Sequence, residues 1–428
     1  MTDRTPLGVA VVGFGTVGRS VARIISDPSH PSLRLTHVCN RGIDRKRSDT
    51  GWVPADVVWT DDFDLVLSSD TDVIVELIGG LDPATDWIRR ALQAGKAVVT
   101  ANKQVIAHRG VELLEVAARH KRPLHFEAAV AGGIPIIHGV REGLAGDTLF
   151  RVLGILNGTC NYILTRMESD AVTFAVALRE AQELGFAEAD PTADVDGFDA
   201  QAKLAILSAV ALGRRIGVAD VPLRSIRTVE AVDFVYAQRL GYTIRQVARA
   251  EIDGEQSDSV LASVQPALVS RSSALARVEG SRNVVVVEGR FGGETVFSGF
   301  GAGGDPTGVA VVSDLESIAR QPEAVRSSQA PPATVATEFV ASHYVRFIVS
   351  DRPGIIAELA KVFSGRGVNI DSVLQEPGWS KTELPFVITL EASTSTAVEQ
   401  ALQESAAFEF NVRPPVWMPM LTLGERRQ

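Results

Sequence analysis

Residues 13–18 read Gly-Phe-Gly-Thr-Val-Gly and constrain the fold of this 428-residue chain more than any other segment. The motif follows the apolar run Leu7–Val12 and opens the segment Thr16–Ile25, in which apolar residues recur at helical spacing. The first glycine permits a tight turn, the second lets the backbone approach a pyrophosphate, and the third lets helix and strand pack closely. A strand–helix turn with incidental glycines is the alternative. The sequence predicts a dinucleotide site that includes Gly13, Phe14, Gly15, Thr16, Val17 and Gly18.

Short apolar runs alternate with helical patterns through the first 135 residues. After the first run, the others lie at residues 33–38, 72–78, 97–100 and 124–126. Strands separated by helices require crossover connections, and a parallel sheet buried on both faces explains the continuous apolar runs. The predicted fold class is α/β, with a Rossmann-type nucleotide-binding domain at residues 1–135.

The rest of the chain predicts two further domains, in keeping with a prior of roughly 150 residues per domain. Residues 136–300 hold helical and strand patterns without strict alternation, which indicates an α+β domain. The helices are predicted at residues 174–184 and 200–212, and the strands at 260–264 and 284–290. Residues 321–340 contain small residues and a Pro-Pro pair, which is typical of a semi-rigid linker. Strand, helix and strand patterns return in residues 341–428, enough for a small domain.

Composition excludes several classes of protein. The net charge of -10 argues against a general affinity for nucleic acid or anionic lipid. No apolar run reaches the roughly 20 residues that a membrane helix needs. The two cysteines, Cys39 and Cys160, form neither a disulfide framework nor a CxxC metal motif. We therefore expect a cytoplasmic protein without nucleic-acid or membrane partners.

The end of the second predicted strand lacks the acidic residue that would hold the ribose 2′-OH of NAD. Cys-Asn-Arg stands there at residues 39–41, and Arg45, Lys46 and Arg47 follow. A basic residue accommodates the 2′-phosphate of NADP, so we predict a preference for NADP with Arg41 as its contact, while NAD is also considered. The alternative is an exposed charged loop.

The segment Thr-Ala-Asn-Lys at residues 100–103 places a lysine just past the carboxyl end of a predicted strand. Ligands of open α/β sheets bind at that edge. Lys103 is therefore a candidate functional residue, and a surface lysine at the start of a helix is the alternative.

Residues 188–203 read EADPTADVDGFDAQAK and hold five carboxylates before an apolar helix. One explanation is structural: Asp196 caps the helix, and Asp199 in its first turn forms an i,i+4 ion pair with Lys203. However, Lys203 shares its helical face with three apolar residues of the next two turns, so it should point into packed structure. A lysine directed inward beside carboxylates suits a proton donor or a polar-substrate site.

Glu127 stands before a glycine-rich bend, FEAAVAGGI at residues 126–134. Such a bend can direct several carbonyls to one point, and carbonyls with one carboxylate are hard oxygen ligands suited to sodium, potassium or a calcium-like ion. A strand end packed against the nucleotide domain explains the bend equally well.

Together these segments resemble the monofunctional homoserine dehydrogenases over nearly the whole chain. The most specific matches are the motifs at residues 13–18, 100–103, 157–161 (Asn-Gly-Thr-Cys-Asn), 188–203 and 301–308. The resemblance implies reversible reduction of L-aspartate 4-semialdehyde to L-homoserine by NAD(P)H, on the route to threonine, methionine and isoleucine. It also implies a homo-oligomer, either dimer or tetramer, in which residues 136–300 carry catalysis and dimerisation and residues 300–320 rejoin the nucleotide domain.

The resemblance assigns roles residue by residue. Lys203 is implied as the proton donor to the carbonyl oxygen, and Lys103 lies between cofactor and substrate. The substrate residues implied are Gly158, Thr159, Glu188, Asp194 and Asp199. The further cofactor contacts implied are Thr100, Lys103, Gly185 and Gly303. The sodium-type site implied combines the Glu127 side chain with the backbone at Val130, Gly132 and Ile134.

The C-terminal segment, residues 344–375, predicts a strand, an amphipathic helix and a second strand. Its helical stripe is expected at Ile356, Leu359, Ala360 and Phe363. The segment resembles an ACT domain, a βαββαβ module that binds amino acids. The resemblance implies L-threonine as effector, bound near Asp351, Gly354, Asn369 and Ile370. A dimerisation element without a ligand is the alternative.

Two rival functions were weighed. An aspartate-semialdehyde dehydrogenase uses the same aldehyde but needs a cysteine nucleophile, for which Cys160 superficially qualifies. No histidine is close in sequence to act as its base, so Cys160 is interpreted as a packing residue. A non-catalytic amino-acid sensor is disfavoured because Lys103, Glu188, Asp199 and Lys203 are all present.

Overall fold

The computed structural model describes residues 5–254, 258–321 and 330–421. The chain divides into two compact units. The first comprises residues 1–152, 202–218 and 287–333, and the second comprises residues 153–201, 219–286 and 334–428. Residues 322–329 of the predicted linker lie outside the described part, and the predicted three-domain boundaries stay a prediction.

The strands are β1 (Leu7–Val12), β2 (Leu33–Cys39), β3 (Val58–Thr60), β4 (Val73–Glu76), β5 (Ala97–Thr100), β6 (Leu124–His125), β7 (Leu149–Ile155), β8 (Tyr242–Ile252), β9 (Ser259–Ser270), β10 (Arg282–Gly289), β11 (Gly293–Phe300), β12 (Thr334–Ala336), β13 (Val340–Val349), β14 (Ile370–Gln375), β15 (Leu384–Thr394) and β16 (Asn411–Leu421).

The α-helices are α1 (Thr16–Ile25), α2 (Ile43–Arg47), α3 (Phe63–Ser68), α4 (Ala84–Gln93), α5 (Lys103–His120), α6 (Ile136–His138), α7 (Gly158–Asp170), α8 (Phe174–Glu183), α9 (Thr192–Val195), α10 (Phe198–Ala211), α11 (Ala231–Arg239), α12 (Gly304–Arg320), α13 (Ile355–Ser364) and α14 (Ser395–Ala406). Among the described residues, none of these helices combines the length and the apolar character needed to cross a membrane.

The first unit contains a six-stranded sheet in the order β3–β2–β1–β4–β5–β6. Every neighbouring pair is parallel. This is the strand order of the doubly wound dinucleotide-binding fold, and the order reverses between β1 and β4. The predicted α/β class and Rossmann-type domain are confirmed, whereas the short strand β3 was not predicted.

The glycine loop joins β1 to α1 in a geometry that two of its glycines make necessary. Gly13 has φ +101, a conformation that side-chain-bearing residues rarely adopt. A Cβ on Gly18 would lie 2.0 Å from the Gly13 carbonyl oxygen, so α1 can approach β1 this closely only with glycine there. A Cβ on Gly15 would meet nothing within 4 Å, which leaves open space in front of the helix start.

Helix α12 completes the first unit by packing along α1. The Ser20 hydroxyl donates a 2.7 Å hydrogen bond to Asp305 Oδ1. A Cβ on Gly304 would approach Ser20 Oγ to 2.8 Å, so the contact depends on a glycine. Val311 and Leu315 of α12 join Val9, Val21 and other residues of the sheet and α1 in one apolar core.

The strands of the second unit lie in the order β10–β7–β8–β9–β16–β13–β15–β14, with β12 beside β9. Strands β8 and β9 form a long antiparallel pair. The C-terminal module has the order β13–α13–β14–β15–α14–β16, which is βαββαβ. Its four strands belong to this sheet and are joined by three antiparallel pairings. Its last strand also pairs in parallel with β9, Met420 opposite Leu268. The module therefore shares backbone hydrogen bonds with β9.

The stripe predicted for α13 is partly wrong. Ile356 is 42% exposed, and Ile355 takes its place beside Leu359, Val362 and Phe363 in the core. Adjacent isoleucines fit a helical period equally well, so the pattern alone could not select between them. The helix begins after Gly354 at φ +95, and that entry sets which isoleucine faces inward.

A buried ion cluster links α11 to the C-terminal module. The Arg346 guanidinium on β13 lies 2.7 Å from both Asp233 Oδ1 and Glu230 Oε1. The Tyr344 hydroxyl donates a 2.7 Å hydrogen bond to Asp233 Oδ1. Burial raises the pKa of Asp233, and the positive charge of Arg346 opposes this increase. The cluster therefore joins two segments of the chain, since Asp233 and Tyr344 are 111 positions apart in the sequence.

Candidate functional site

The motif-bearing loops of the first unit start from one row across the sheet. Val12 pairs with Cys39 on one side and with Glu76 on the other, and Glu76 pairs with Thr100. The glycine loop and the loops after β2, β4 and β5 thus leave the same carboxyl edge. In parallel sheets, nucleotides bind at this edge beside the point where strand order reverses.

The glycine loop presents helix α1 as a phosphate site. Within the described residues, no side chain caps the start of α1, where Gly15 has an extended conformation. First-turn N–H groups and the helix dipole attract anions at such an end. The N–H of Phe14, just before the helix, already has a partner, because it donates a 2.9 Å hydrogen bond to Asn40 Oδ1. Asn40 thus holds the glycine loop to the end of β2. No role was predicted for this residue.

Arg41 follows Asn40 and is exposed. Gly42 at φ +70 turns the chain into α2, which carries Arg45, Lys46 and Arg47. Arg41, Arg45 and Arg47 are therefore exposed immediately after β2, where a ligand can reach them, and Lys46 is half-buried.

A buried carboxylate ties the next two loops together. Glu76 at the end of β4 accepts hydrogen bonds from the Thr100 hydroxyl (2.6 Å) and the Ile78 N–H (2.8 Å). Burial raises the pKa of Glu76. Asn102 caps α5 by accepting from the Val105 N–H, and its side chain donates to the Gly80 carbonyl. Lys103 is the first residue of α5, so this network fixes its backbone at the sheet edge.

In the second unit, Asn157 gathers the carboxylates predicted to hold substrate. Its Nδ2 donates to Asp194 Oδ1 (2.7 Å) and to Asp199 Oδ2 (2.9 Å). Its Oδ1 caps α7 by accepting from the Cys160 N–H. Asn157 lies in the motif at residues 157–161, and no role was predicted for it. The neighbouring residues of the motif are held as well, because the Thr159 hydroxyl donates to the Phe186 carbonyl and a Cβ on Gly158 would lie 2.6 Å from the Ser281 carbonyl oxygen.

Helix α10 carries both Asp199 and Lys203, one turn apart. Asp199 is buried, and Lys203 is 9% exposed, so the predicted inward direction of this lysine is confirmed. Asp196 Oδ1 accepts hydrogen bonds from the Ser225 hydroxyl and from Arg227 Nε. Glu188 is exposed in the loop after α8.

The two remaining predicted cofactor glycines lie at element ends. Gly185 is exposed after α8 at φ +77, in the second unit, and Gly303 precedes α12 at φ +119, in the first. Both conformations favour glycine.

Cys160 is a packing residue. The side chain is fully buried in an apolar cluster, and its Sγ donates to the Asp194 carbonyl at 3.2 Å. Burial raises the pKa of the Cys160 thiol well above its usual range. A nucleophilic cysteine needs the opposite, an accessible thiolate, so the aspartate-semialdehyde dehydrogenase alternative is not supported.

The bend at residues 126–134 is buried in the first unit. Both Glu127 carboxylate oxygens accept backbone N–H groups, from Ile137 at 2.8 Å and His138 at 2.7 Å. Val130 and Ile134 are buried, and Gly132 has φ +51. The cation site implied by resemblance stays a prediction.

The four predicted effector residues lie at or just before the first residues of α13 and β14 in the C-terminal module. Asp351 and Gly354 precede α13 and are exposed. Ile370 begins β14, and the preceding Asn369 donates to Glu391 Oε2 at 3.1 Å. The N-terminal end of α13 and the start of β14 thus offer exposed backbone and polar groups.

The strand order and the glycine loop of the first unit define a dinucleotide-binding protein. Comparison with known proteins narrows this class. The sequence models of the homoserine dehydrogenase NAD-binding and catalytic domains match residues 13–127 and 135–315, and that of the ACT domain matches residues 343–406. The chain belongs to the homoserine dehydrogenase family.

Individual relatives agree with this assignment. The homoserine dehydrogenase of Mycobacterium tuberculosis is 41% identical over 418 residues, which is 94% of each chain. The crystal structure of a homoserine dehydrogenase from Thiobacillus denitrificans superposes with a TM-score of 0.90 at 31% identity, covering 98% of this chain and 99% of that one. A hyperthermophilic archaeal homoserine dehydrogenase in complex with NADPH gives a TM-score of 0.63 at 29% identity, covering 75% of this chain and 100% of that one.

The chain therefore catalyses the reversible, NAD(P)H-dependent interconversion of L-aspartate 4-semialdehyde and L-homoserine. The C-terminal module is an ACT domain, which is consistent with regulation by an amino acid.

Proposed function

We propose that Lys203 donates the proton in this reaction and that Asp199, Asp194 and Glu188 bind the substrate. The observation that carries the proposal is the buried position of Lys203 one turn after Asp199, whose carboxylate Asn157 orients. The nicotinamide, when bound, supplies the hydride that forms the new C–H bond. The aldehyde oxygen gains negative charge, and an ammonium stabilises that charge and delivers a proton, worth roughly 10²–10⁴-fold as acid catalysis.

The other predicted site residues are assigned to binding of the substrate or of the cofactor. The buried carboxylate of Asp199 and the half-buried carboxylate of Asp194 suit the ammonium of an amino-acid substrate, which supports their roles. Lys103 stands at the sheet edge and is assigned to the space between cofactor and substrate. Gly158, Thr159, Gly185 and Gly303 are assigned to the substrate and cofactor walls.

Lys203→Ala tests the proton donor. We expect the variant to lose at least about 100-fold in kcat while NADPH binding, followed by its fluorescence, is retained. Lys361→Ala, at an exposed position of α13, is the matched control and should keep full activity. A near-normal kcat in Lys203→Ala would refute the assignment.

The cofactor preference proposed is NADP. Arg41 and the basic residues of α2 follow β2 in place of an acidic residue, which supports contact with a 2′-phosphate. Arg41→Asp should lower kcat/KM for NADPH at least tenfold and leave that for NADH unchanged or higher. A wild-type preference for NADH would contradict the proposal.

The effector proposed for the ACT domain is L-threonine, bound near Asp351, Gly354, Asn369 and Ile370. The exposed positions of Asp351, Gly354 and Asn369 at the starts of α13 and β14 support this, and Ile370 is half-buried beside them in sequence. Saturating threonine should inhibit the wild-type enzyme and raise its Tm, and Asn369→Ala should lose both effects. If threonine changes neither quantity in the wild type, the domain binds another ligand or is structural.

Three further assignments complete the proposal. A monovalent cation such as sodium is proposed at Glu127, Val130, Gly132 and Ile134, supported by the buried glycine-rich bend. A homo-oligomer, dimer or tetramer, is proposed from the family resemblance. A cytoplasmic location is proposed because both cysteines, which lie within the described residues, are buried and free.

A further inference from the structure

Two histidines and an aspartate of the first unit converge on the wall of a cavity of about 810 Å³. His125 ends β6, His138 ends α6, and Asp314 lies in α12. Each offers one ligand atom, and these three atoms all lie within 4.8 Å of one another. None of the three has a role in the reaction proposed above.

The distances are close to those of a metal centre. Asp314 Oδ1 lies 3.4 Å from His125 Nδ1 and 2.8 Å from His138 Nε2. Ligand atoms about 2.0–2.1 Å from a tetrahedral Zn²⁺ are separated from each other by about 3.3 Å. The first distance fits this value, and the second is about 0.5 Å shorter than it.

Neighbouring groups orient the ligand atoms. The Glu127 N–H donates to Asp314 Oδ2 at 2.9 Å, which leaves Oδ1 directed at the histidines. Glu142 Oε1 lies 3.3 Å from His138 Nδ1, within reach of a proton on that nitrogen, and His138 Nε2 faces Asp314 Oδ1 at 2.8 Å. Carboxylates that hold the outer nitrogen of a ligating imidazole are a regular feature of metal sites, where they fix the tautomer and raise ligand basicity.

We propose that His125, His138 and Asp314 bind one divalent transition-metal ion of the zinc type, with a fourth coordination position open to the cavity. Imidazole nitrogens favour Zn²⁺ and its neighbours over sodium, magnesium or calcium. The histidines are 24% and 26% exposed, so an ion reaches them from the cavity, whereas Asp314 is 2% exposed and anchors the site.

This site differs from the monovalent site assigned to Glu127 and the bend. Both Glu127 carboxylate oxygens accept backbone N–H groups, and Glu127 Oε2 lies 3.8 Å from His138 Nε2. Glu127 therefore borders the proposed centre without supplying one of its three ligand atoms. The monovalent site is built from oxygens, so sodium should not displace the transition metal.

Binding of Co²⁺ and Zn²⁺ to the full-length protein tests the proposal. Protein stripped with chelator is titrated with Co²⁺, whose visible absorption reports a four-coordinate site, and Zn²⁺ affinity is measured by competition with a chromophoric chelator. Both titrations are run with and without excess sodium. We expect one equivalent per chain, unaffected by sodium, and a rise in Tm of about 5 °C at a hundredfold excess over Kd.

Variants locate the site. His125→Gln, His138→Gln and Asp314→Asn should each lose more than about 100-fold in Zn²⁺ affinity, and Glu142→Ala about 10–100-fold. His120→Gln, at an exposed position of α5, is the matched control and should bind normally. The metal-free Tm of each variant separates loss of binding from loss of fold, and the Co²⁺ spectrum of the wild type needs no variant.

Absence of stoichiometric binding, displacement by sodium, or binding unchanged in both His125→Gln and His138→Gln would overturn the proposal. The cluster would then be a hydrogen-bonded ion pair alone. The readout is metal binding, so the result is independent of whether Lys203 is the proton donor.

Discussion

Replacing Arg346 by methionine should destabilise the protein far more than any exposed ion pair could. Arg346 is 3% exposed, and its partner Asp233 is completely buried. Removing the guanidinium leaves a buried carboxylate that, within the described part of the chain, keeps only the Glu230 N–H and the Tyr344 hydroxyl as hydrogen-bond donors. Breaking a buried pair in this way costs about 3–5 kcal/mol of the free energy of unfolding.

The same cluster contains its own control. Arg413 also contacts Glu230 Oε1, at 3.0 Å, but is 49% exposed. Arg413→Ala should therefore cost less than about 1 kcal/mol. The double variant Arg346→Met/Asp233→Asn should recover part of the loss, because no uncompensated charge stays buried.

Urea unfolding followed by circular dichroism and tryptophan fluorescence measures these differences. Trp417 lies in the apolar cluster of the ACT domain and reports its packing. If Arg346→Met costs no more than Arg413→Ala, or if the double variant is less stable than Arg346→Met, the electrostatic reasoning is wrong.

Three further predictions concern other parts of the molecule. The pKa of His343, which is fully buried, is lowered by burial from its ordinary 6.5 to about 4. As the pH falls, His343 is therefore protonated in the unfolded chain before it is protonated in the folded protein. Its contribution to the free energy of unfolding is complete above pH 6.5 and should decrease by up to about 3 kcal/mol toward pH 4. Urea titrations at several pH values should show a shallower loss of stability in His343→Gln. Gly18→Ala should lower Tm and abolish NADPH binding, because its Cβ would meet the Gly13 carbonyl, whereas Gly15→Ala should keep the Tm and weaken NADPH binding alone. Cys160→Ala should keep its kcat in the aspartate semialdehyde assay, and a dead enzyme with a normal Tm would restore the nucleophile hypothesis.

Several features of the fold could be predicted because each depends on short segments of chain. The apolar runs at β1 and β5 have the predicted ends, and α8 and α10 were placed to within about two residues. The second unit was harder to predict. Strand β8 and the alternating strand β11 were missed, because polar residues interrupt their apolar residues and leave no continuous apolar run like those of the first unit.

By itself, the sequence determined the nucleotide-binding edge, the inward lysine and the ACT module. Glycine conformation, helical period and strand-end position are local properties of a segment. The glycine loop at residues 13–18, the inward direction of Lys203 and the existence of α13 could therefore be predicted without knowing what packs against them. Only the tertiary structure decided which distant residues meet. Asn157 joins carboxylates 37 and 42 positions away, and His138 meets Asp314 across 176 positions. Such contacts depend on the path of the whole chain, and no spacing within one segment encodes them.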